Sequence, residues 1–346
     1  MSKQAMTMST PTAAVSPLSL IRMATAYWLS QALFVVAKLR IADLLSEGPR
    51  SAAELAKAVE ANSTALYRIL RALAGEGIFS EDDEGRFKLT PLAEHLRSDT
   101  PSTVLPYILM LGSEWHWRAW GDLMHSVRTE KPAFEHVFGK QLFQHFAEHA
   151  EDARTFDRAM TSRSRQEEPA VAAVYEWPTG TIIDVGGGRG SQLAAILERV
   201  PSGRGILFDL PHVIPAASDL FAEAGLANRC EAVAGDFFKQ VPAGGELYML
   251  KKVIHDWDDK RARMILSQCR AAMPQGSRLV LVEHVLASRN EPSWSKLLDL
   301  QMLVLTPGGR ERSEAEYAAL FESAGLFLNR IIPTVAGVSL IEGVVA

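Results

Sequence analysis

The sequence predicts an α/β protein in which a mainly helical amino-terminal half precedes a domain built on a parallel sheet. Three observations predict this fold class. Up to about residue 176, apolar residues recur at helical spacing, with few strand signals. From Thr181 onward, apolar strands alternate with helical segments, the pattern of a parallel sheet covered by helices on both faces. A glycine-rich run, DVGGGRGS, joins the first of these strands to the helix that follows.

The chain is long enough for two domains and has an ordinary globular composition. Of its 346 residues, 47% are hydrophobic and 22% are charged. The formal net charge of −5 argues against a nucleic-acid partner, because binding to phosphates draws on an excess of lysine and arginine. The two cysteines, Cys230 and Cys269, are too few for a disulfide framework or a cysteine-built zinc site.

The amino-terminal region carries no recognisable targeting signal. It has no continuous apolar core of the signal-peptide type. The apolar stretch YWLSQALFVVAKLRIADLL is interrupted by Gln31, Lys38 and Arg40, so we expect no membrane span. These features predict a cytoplasmic protein without a membrane partner.

Four segments are predicted along the chain. Residues 1–17, rich in Thr, Ser and Ala, are expected to be flexible. Residues 18–100 are expected to form a winged-helix-like domain, and residues 101–176 a helical linker crowded with Trp, His, Phe and Met. Residues 177–346 contain the strand–helix alternation and form the second predicted domain.

The winged-helix prediction follows from the order helix, helix, hairpin. SAAELAKAV and STALYRILRALAGEG predict two short helices. Ser51 and Glu54 form a capping-box pattern, and Gly75 and Gly77 supply a stop signal. IFSEDDEGRFKLT then predicts two short strands around a turn at Gly85.

The second domain is predicted to contain five buried strands and a terminal hairpin. The strands are TIIDVGG, RGILFDL, CEAVAGDFF, ELYMLKKVI and SRLVLVEHV. The final stretch, LNRIIPTVAGVSLIEGVVA, predicts two apolar strands around Gly337 that pair antiparallel at an edge.

The glycine-rich loop predicts a ligand site with a particular charge preference. Backbone N–H groups at a helix start favour negative charge, and glycines let a ligand approach the main chain. A dinucleotide fingerprint would require glycine at position 191, where Ser191 stands. Asp184, directly before the glycines, would repel a pyrophosphate but suits a cationic amino group. An NAD-dependent dehydrogenase is therefore disfavoured, and a simple tight turn is the structural alternative.

Two further acids lie at the ends of the next strands. Asp209 can accept hydrogen bonds from both hydroxyls of a ribose. Asp236, with Phe237 beside it, fits an adenine whose amine binds the acid and whose base packs on the ring. Each acid alone is more simply a solvated strand end. Together with Asp184 they indicate a cofactor that has an amine, a ribose and an adenine, as S-adenosylmethionine has.

Five motifs, in order, resemble one enzyme family. DVGGGRG, FDLPHVI, GDFF, YMLKKVIHDWDD and PGGRERS are similar to those of small-molecule O-methyltransferases of the caffeate, flavonoid and acetylserotonin type. That family includes bacterial members acting on polyketide or phenazine phenols. The resemblance implies a Rossmann-like class I methyltransferase domain and a homodimer formed through the mainly helical, winged-helix-like dimerisation domain. The cofactor that it implies is S-adenosylmethionine, with S-adenosylhomocysteine as its product. It also implies that residues 101–176 contribute to the substrate pocket.

The resemblance also implies a set of site residues. His255 matches a general base that deprotonates a small aromatic hydroxyl, with Glu283 and Glu311 as the acids flanking it. The implied cofactor contacts are Asp184, Gly186, Gly188, Asp209, Leu210, Asp236, Phe237, Lys251 and Ser164. The implied acceptor contacts are Phe156, Met160, Trp257, Met302 and Thr306, where Thr306 replaces a frequent asparagine. Gln301 stands where an apolar residue is common.

A histidine base suits the implied chemistry. A phenol with a pKa of about 10 is a poor nucleophile when protonated, and imidazole titrates in the range needed to take its proton. A carboxylate on the second ring nitrogen would stabilise the imidazolium. Asp256 is expected to point elsewhere. No metal ion is expected, because the histidine makes a divalent cation unnecessary.

Parts of the sequence also fit three other functions. A winged-helix transcription regulator would place Arg68 and Arg71 on DNA, but the acids from Glu81 to Glu84 in the wing would repel the phosphates. HFAEH, from His145 to His149, fits a metalloprotease pattern that occurs easily by chance. Some relatives of the family bind the cofactor and catalyse hydroxylation or decarboxylation, usually without the histidine.

Overall fold

The structure is a computed structural model that describes residues 16–345. Residues 1–15, within the segment predicted to be flexible, lie outside the described residues. The chain divides into two compact units, one ending at Ile108 and one beginning at Leu109. In this division residues 109–176 belong with the sheet, and the finer partition at residues 100 and 176 stays a prediction.

The first unit combines short helices with a three-stranded sheet. Its elements are α1 (Pro17–Lys38), α2 (Ile41–Leu44), β1 (Arg50–Ser51), α3 (Ala52–Ala58), α4 (Ser63–Gly75), β2 (Phe79–Glu81), β3 (Arg86–Leu89) and a 3₁₀ helix, Ala93–Leu96. The sheet is antiparallel in the order β1-β3-β2, which confirms the winged-helix order. The predicted capping box is present at α3, where Ser51 and Glu54 each bond the other's backbone N–H.

Helix α1 exposes a run of large apolar side chains. Met23 is 73% exposed and Trp28 is 63% exposed, and Leu18, Leu20, Ile21 and Tyr27 are also exposed. By length and composition alone, α1 is long and apolar enough to cross a membrane. Of the three residues expected to interrupt it, Gln31 lies within the helix, Lys38 is its last residue and Arg40 lies beyond it. An apolar face of this size is typical of a surface that another apolar surface covers.

The described part of the second unit contains a large sheet and eleven further α-helices, the first of which begins in the first unit. Its helices are α5 (Leu105–Leu111, which begins in the first unit), α6 (Glu114–Gly121), α7 (Leu123–Thr129), α8 (Ala133–Phe138), α9 (Leu142–Glu148), α10 (Ala150–Val174), α11 (Ser191–Arg199), α12 (Ile214–Glu223), α13 (Asp259–Ala272), α14 (Trp294–Leu305) and α15 (Glu314–Ser323). Its strands are β4 (Thr181–Val185), β5 (Arg204–Asp209), β6 (Cys230–Ala234), β7 (Leu247–Lys251), β8 (Arg278–Glu283), β9 (Leu326–Pro333) and β10 (Ser339–Val345). A short 3₁₀ helix, Ile254–Asp256, follows β7.

The strand order defines where a ligand can bind. The seven strands run β6-β5-β4-β7-β8-β10-β9, with β4 to β8 parallel and the terminal pair antiparallel. From β4 the chain moves outward through β5 to β6 and then returns to β7 on the other side of β4. Ligands of such sheets bind outside the carboxyl ends of the strands at this switch point. The glycine loop after β4 and the 3₁₀ helix after β7 flank it.

The sheet is buried on both faces, as the sequence predicted. Along β7, Leu247 and Met249 pack into one apolar cluster, while Tyr248 and Leu250 pack into the other. All four are fully buried. Strand ends are therefore fixed by core packing, which holds the loops that follow β4 and β7.

Candidate active site

The glycine loop turns sharply at the end of β4. Gly186, Gly188 and Gly190 have φ values of 71°, 59° and 82°, in the left-handed region that favours glycine. A Cβ on Gly187 would lie 2.5 Å from the carboxylate of Asp184. The loop thus folds its backbone directly over that carboxylate, which larger residues would prevent.

A cavity of about 340 Å³ lies beside this loop. Among its lining residues are five of the predicted cofactor contacts, Ser164, Asp184, Gly186, Gly188 and Lys251. Helix α10 contributes Ser164, β4 and its loop contribute the aspartate and the glycines, and the end of β7 contributes the lysine. The structure therefore brings together residues from three separate parts of the chain.

Two charged groups at the cavity have no hydrogen-bond partner among the described residues. Asp184 is 1% exposed, and both of its carboxylate oxygens are unpaired. Burial, with help from Asp209 and Glu168, raises the pKa of Asp184 to about 7, although Lys251 opposes the shift. The Lys251 ammonium is also without a hydrogen bond, and burial lowers its pKa.

Unpaired buried charges are costly unless a ligand satisfies them. Asp184 has no donor, and Lys251, although its ammonium lies 3.8 Å from a Glu167 oxygen, has no hydrogen-bond acceptor. A ligand that carries both an ammonium and a carboxylate, as the methionine portion of S-adenosylmethionine does, supplies both. The cavity residues therefore fit that cofactor.

The other predicted cofactor residues lie at the neighbouring strand ends, outside this cavity's lining. Asp209 accepts hydrogen bonds from the backbone N–H groups of Gly188 at 2.8 Å and Leu210 at 2.7 Å. These two bonds leave lone pairs on the carboxylate, and Leu210 is 44% exposed.

Asp236 and Phe237 follow β6. The Asp236 carboxylate accepts from the backbone of Phe238 at 3.0 Å and lies 3.3 Å from the Lys239 ammonium. The ring of Phe237 lies edge-on to Trp257 at 6.3 Å. Phe237 also borders Gly186, since a Cβ there would be 3.5 Å from its ring.

The 3₁₀ helix Ile254–Asp256, called the catalytic turn after the predicted base that it carries, holds His255 between two buried glutamates. His255 Nδ1 lies 3.1 Å from Glu311 Oε1 and 3.4 Å from Glu283 Oε2. The other oxygen of Glu283 accepts from the backbone N–H of Ile254 at 2.9 Å. Glu283 ends β8 and is 0% exposed, and Glu311 is 1% exposed. The three predicted catalytic residues are thus in contact.

The expectation that Asp256 points elsewhere is wrong. Its Oδ1 lies 3.6 Å from His255 Nε2, because the turn folds the adjacent side chain back over the ring. Burial by itself lowers the pKa of His255, but Glu283, Asp256 and Glu311 outweigh it and raise the pKa to about 10. Burial has the opposite effect on Glu283 and raises its pKa to about 7, although the charge of His255 opposes the shift.

The predicted acceptor residues divide into two groups. Met302 and Thr306 lie at the end of α14, where the Thr306 hydroxyl donates to the Met302 carbonyl at 2.9 Å. The next turn reaches His255, since a Cβ on Gly309 would lie 2.8 Å from its carbonyl oxygen. Trp257 directly follows the catalytic turn.

Phe156 and Met160 are half-buried on α10. Phe156 packs with Phe146 at 5.0 Å and Phe143 at 6.2 Å. These ring contacts lie within the helical region, and the acceptor role of Phe156 and Met160 stays a prediction.

Gln301 and Arg312 are two residues of this region whose surroundings could not be predicted from the sequence. The Gln301 amide oxygen accepts from Trp120 Nε1 at 2.6 Å, and its amide nitrogen lies 3.0 Å from His116 Nε2. This explains a polar residue at a position that is commonly apolar. Arg312 is fully buried under the catalytic turn. Its place within PGGRERS was the available signal.

The metalloprotease pattern does not assemble a metal site. His145 pairs with Asp152 at 2.9 Å, and Glu148 pairs with Lys140 at 2.5 Å. Among residues 16–345, one group of side chains whose possible metal-ligand atoms lie within 4.8 Å of one another consists of His255, Glu283 and Glu311. The same spacing also suits a histidine oriented by two carboxylates.

Sheet order, glycine loop and cavity define a Rossmann-like methyltransferase. Two family matches then identify its kind: residues 120–327 match the O-methyltransferase domain, and residues 21–99 match the O-methyltransferase dimerisation domain. The chain belongs to this O-methyltransferase family. It is an S-adenosylmethionine-dependent O-methyltransferase, as the sequence predicted.

Relatives and solved structures agree with this assignment. Phenazine O-methyltransferase PhzM of Lysobacter antibioticus is 46% identical over 329 residues, which cover 94% of this chain and 96% of that protein. CalO1, a methyltransferase of calicheamicin biosynthesis solved with S-adenosylhomocysteine, has a TM-score of 0.87 and 36% identity over 95% of this chain and 98% of its own.

NcsB1, an O-methyltransferase of neocarzinostatin biosynthesis, was solved with S-adenosylmethionine and 2-hydroxy-5-methyl naphthoic acid. It has a TM-score of 0.79 and 34% identity, covering 96% of this chain and all of its own. The homologues are thus S-adenosylmethionine-dependent enzymes that act on aromatic secondary metabolites.

Proposed function

We propose that this enzyme methylates a phenolic hydroxyl of a small aromatic secondary metabolite, with His255 as the general base. The observation that carries the proposal is the contact of His255 Nδ1 with two buried glutamates at the switch point of the sheet. Aromatic acceptors of the relatives support the substrate class. The identity of the acceptor and the position methylated are left to experiment.

The tautomer of His255 follows from its neighbours. Nδ1 donates to Glu311 and faces Glu283, so Nε2 is the nitrogen left to take a proton. An acceptor hydroxyl placed at Nε2 loses its proton to the ring, and the oxyanion that results is the nucleophile. The glutamates stabilise the imidazolium that forms. This arrangement suits methyl transfer better than the hydroxylation or decarboxylation of the relatives that lack the histidine.

The cofactor supplies an electrophilic methyl group on its sulfonium. We assign Asp184 to its amino group, and Lys251 with Ser164 to its carboxylate. Gly186 and Gly188 allow the close approach of the backbone. Asp209 and Leu210 would hold the ribose, and Asp236 and Phe237 the adenine. The assignments of the amino group and the carboxylate rest on the cavity and on the missing hydrogen bonds of Asp184 and Lys251. The assignments of the ribose and the adenine rest on the positions of their residues at the strand ends.

The acceptor would lie against apolar side chains next to the base. We place one wall of the acceptor site on Trp257, which follows the catalytic turn, and on Met302 and Thr306, at the end of α14. The hydroxyl of Thr306 is already bonded to the helix, so this wall offers mainly apolar surface. Phe156 and Met160 complete the proposed acceptor site.

The enzyme is further proposed to act as a homodimer formed through its first unit. The dimerisation-domain match covers α1, whose apolar side chains are exposed in the single chain. Neither a nucleic-acid nor a membrane partner is proposed. In the wing, the charge of Arg86 is already balanced by its pairs with Asp82 and Glu84.

A histidine variant tests the proposed base. Cofactor binding comes first, by calorimetry with S-adenosylmethionine, S-adenosylhomocysteine and NAD; we expect binding of the first two alone. Methyl transfer is then measured on phenolic acceptors related to those of the homologues. We expect His255→Ala to lower the rate about 10²–10⁴-fold, the usual contribution of a general base, with cofactor affinity unchanged.

The control is His136→Ala. His136 also pairs with a carboxylate, Asp122 at 2.6 Å, but its side chain is 57% exposed; we expect it to leave the rate unchanged. Full activity of His255→Ala would remove the base assignment. Turnover should also survive a chelator. Its loss, with recovery on adding a metal ion, would show that the enzyme needs a cation, which either His255, Glu283 and Glu311 or Asp122, His125 and His136 could hold.

A further inference from the structure

Arg312 lies completely buried beneath the catalytic turn, with 0% of its surface exposed. We propose that Arg312 is a positioning residue that holds His255 in the geometry for proton removal. The proposal rests on the proposed role of His255 as the base. It adds a residue that touches neither cofactor nor acceptor in the assignments above and acts through the backbone of the turn.

The guanidinium hydrogen-bonds to the backbone on both sides of the histidine. Nη1 donates to the carbonyl of Ile254 at 3.1 Å, and Nη2 donates to the carbonyl of Trp257 at 2.8 Å. Ile254 directly precedes His255, and Trp257 follows it by two residues. These two contacts fix the backbone that carries the imidazole.

The same guanidinium is anchored to the next helix. Nε and Nη2 both donate to one oxygen of Asp259, at 3.0 and 2.8 Å. Asp259 is the first residue of α13, and its side chain is 64% exposed. A short segment that includes the turn, from Ile254 to Asp259, therefore wraps around a single side chain.

The backbone beside Arg312 joins the turn to both glutamates. The carbonyl of Arg312 accepts from the N–H of Leu286 at 2.9 Å, and Arg312 forms a parallel bridge with Val285. This extends the strand that ends in Glu283. Glu311 precedes Arg312, and the N–H of Arg310 donates to the His255 carbonyl at 2.8 Å. One segment thereby sets the base and its two carboxylates in register.

Arginine is suited to this task and is not explained by stability alone. Its planar group has five donors in a fixed fork, whereas a lysine ammonium cannot reach two carbonyls and a carboxylate with the same geometry. Burying a cation costs free energy, and well-packed apolar residues often replace buried ion pairs without loss of stability. A need for accurate placement of the turn accounts for the buried guanidinium, because small displacements of reacting groups reduce rates strongly.

The test compares Arg312→Met with His255→Ala and the unchanged enzyme. We expect Arg312→Met to lower kcat about 10-fold or more and to leave the KM for S-adenosylmethionine unchanged. The rise of rate with pH should also move to lower pH. A loosened turn would let the imidazole drift from the groups that face it, which are Glu283 on β8, Glu311 on the adjoining segment and Asp256 in the turn itself.

A matched control is available at the other end of the strands, away from the catalytic turn. Arg229 also donates to backbone carbonyls, those of Leu197, Val200 and Gly203, at 3.0–3.2 Å. Its carbonyl bonds Gly205 near the start of β5, away from the carboxyl ends that hold the site. Arg229→Met should lower the melting temperature and leave kcat and the pH profile of the folded enzyme unchanged.

Arg312→Lys keeps the experiment decisive if Arg312→Met does not fold. The lysine keeps the charge but loses the fork, so we expect an intermediate fall in kcat with the same direction of pH shift. If neither folds, Asp259→Asn loosens one anchor at an exposed position and should give a smaller change of the same kind. An unchanged kcat and pH profile in the first of these variants that folds overturns the proposal. Full activity of His255→Ala, by contrast, overturns the base assignment instead.

Discussion

At the scale of the residue, the main feature of the catalytic turn is that three carboxylates face one imidazole. Glu283, Asp256 and Glu311 raise the pKa of His255 to about 10 in spite of its burial. Only the neutral ring can take a proton, so the population of active base grows as the pH rises toward that value. If His255 is the base, as we propose, the same carboxylates stabilise the imidazolium that forms when the ring takes the proton.

Glu311→Gln tests this electrostatic arrangement. Removing one negative charge lowers the pKa of His255, so kcat/KM should begin to rise at lower pH than in the unchanged enzyme. The kcat should fall, because the amide stabilises the imidazolium less well than the carboxylate. The measurement is kcat/KM against pH with one acceptor, for both enzymes.

The acceptor's own ionisation is the same in both series, so the difference between the two curves belongs to the enzyme. Glu314→Gln is a matched control. Glu314 is an exposed glutamate at the start of α15, three residues farther along the chain. It should give the unchanged curve. Superimposable curves for Glu311→Gln would mean that His255 does not set the pH dependence.

At the scale of the element, helix α10 is fastened to the end of β7 by a buried carboxylate. Glu167 is 1% exposed and accepts from Arg163 at 3.1 Å on its own helix and from Lys252 at 2.7 Å. Lys252 has a φ of 54°, an unusual value for a residue with a side chain, and the Lys251 ammonium lies 3.8 Å from the other oxygen of the same carboxylate. The contact fixes the helix that carries Ser164 into the cofactor cavity.

We expect Glu167→Gln to weaken cofactor binding more than it lowers kcat at saturating cofactor. Losing the carboxylate leaves Lys252 without its buried partner, which costs about 3–5 kcal/mol when an ion pair is broken on one side. The helix then places Ser164 less accurately. Calorimetric Kd values for S-adenosylhomocysteine and melting temperatures measure both effects.

The exposed Glu151, in the first turn of the same helix, supplies the comparison as Glu151→Gln. Equal Kd values for Glu167→Gln and Glu151→Gln would show that α10 is held by packing rather than by this ion pair. A fall in melting temperature without any change in Kd would point to a purely structural role for Glu167.

The elements also show how far a sequence can predict this molecule. Strands β4 to β8 were predicted because each is a short apolar run bounded by turn signals, and the terminal hairpin because Gly337 divides two such runs. The strand-end acids followed from the rule that ligands meet the carboxyl ends of parallel strands. Periodicity within one segment was enough for these features.

Other features depend on residues far apart in the chain and therefore escaped prediction. Gln301 bonds His116 across 185 positions, and Arg312 bonds Ile254 across 58. No local pattern reports such contacts. Asp256 was misjudged because adjacent residues diverge in a strand, whereas a 3₁₀ turn brings its side chain back over the ring.

At the scale of the whole molecule, the unexplained feature of the single chain is the apolar face of α1. Leu20 is 71% exposed and Trp28 is 63% exposed. Covering side chains of this size contributes about 1.5–3 kcal/mol each, so a second copy of the dimerisation domain would gain substantially by docking there. A membrane surface would gain in the same way, since α1 is also long and apolar enough to span one.

The double change Leu20→Glu and Trp28→Glu decides between these coverings. We expect the unchanged protein to have the mass of a dimer by light scattering, and the variant to have that of a monomer, because two carboxylates cannot be buried in an apolar interface at acceptable cost. Val335→Glu, at a 101% exposed position in the second unit, should remain a dimer. A monomeric unchanged protein that floats with lipid vesicles, and a variant that does not, would instead assign α1 to a membrane.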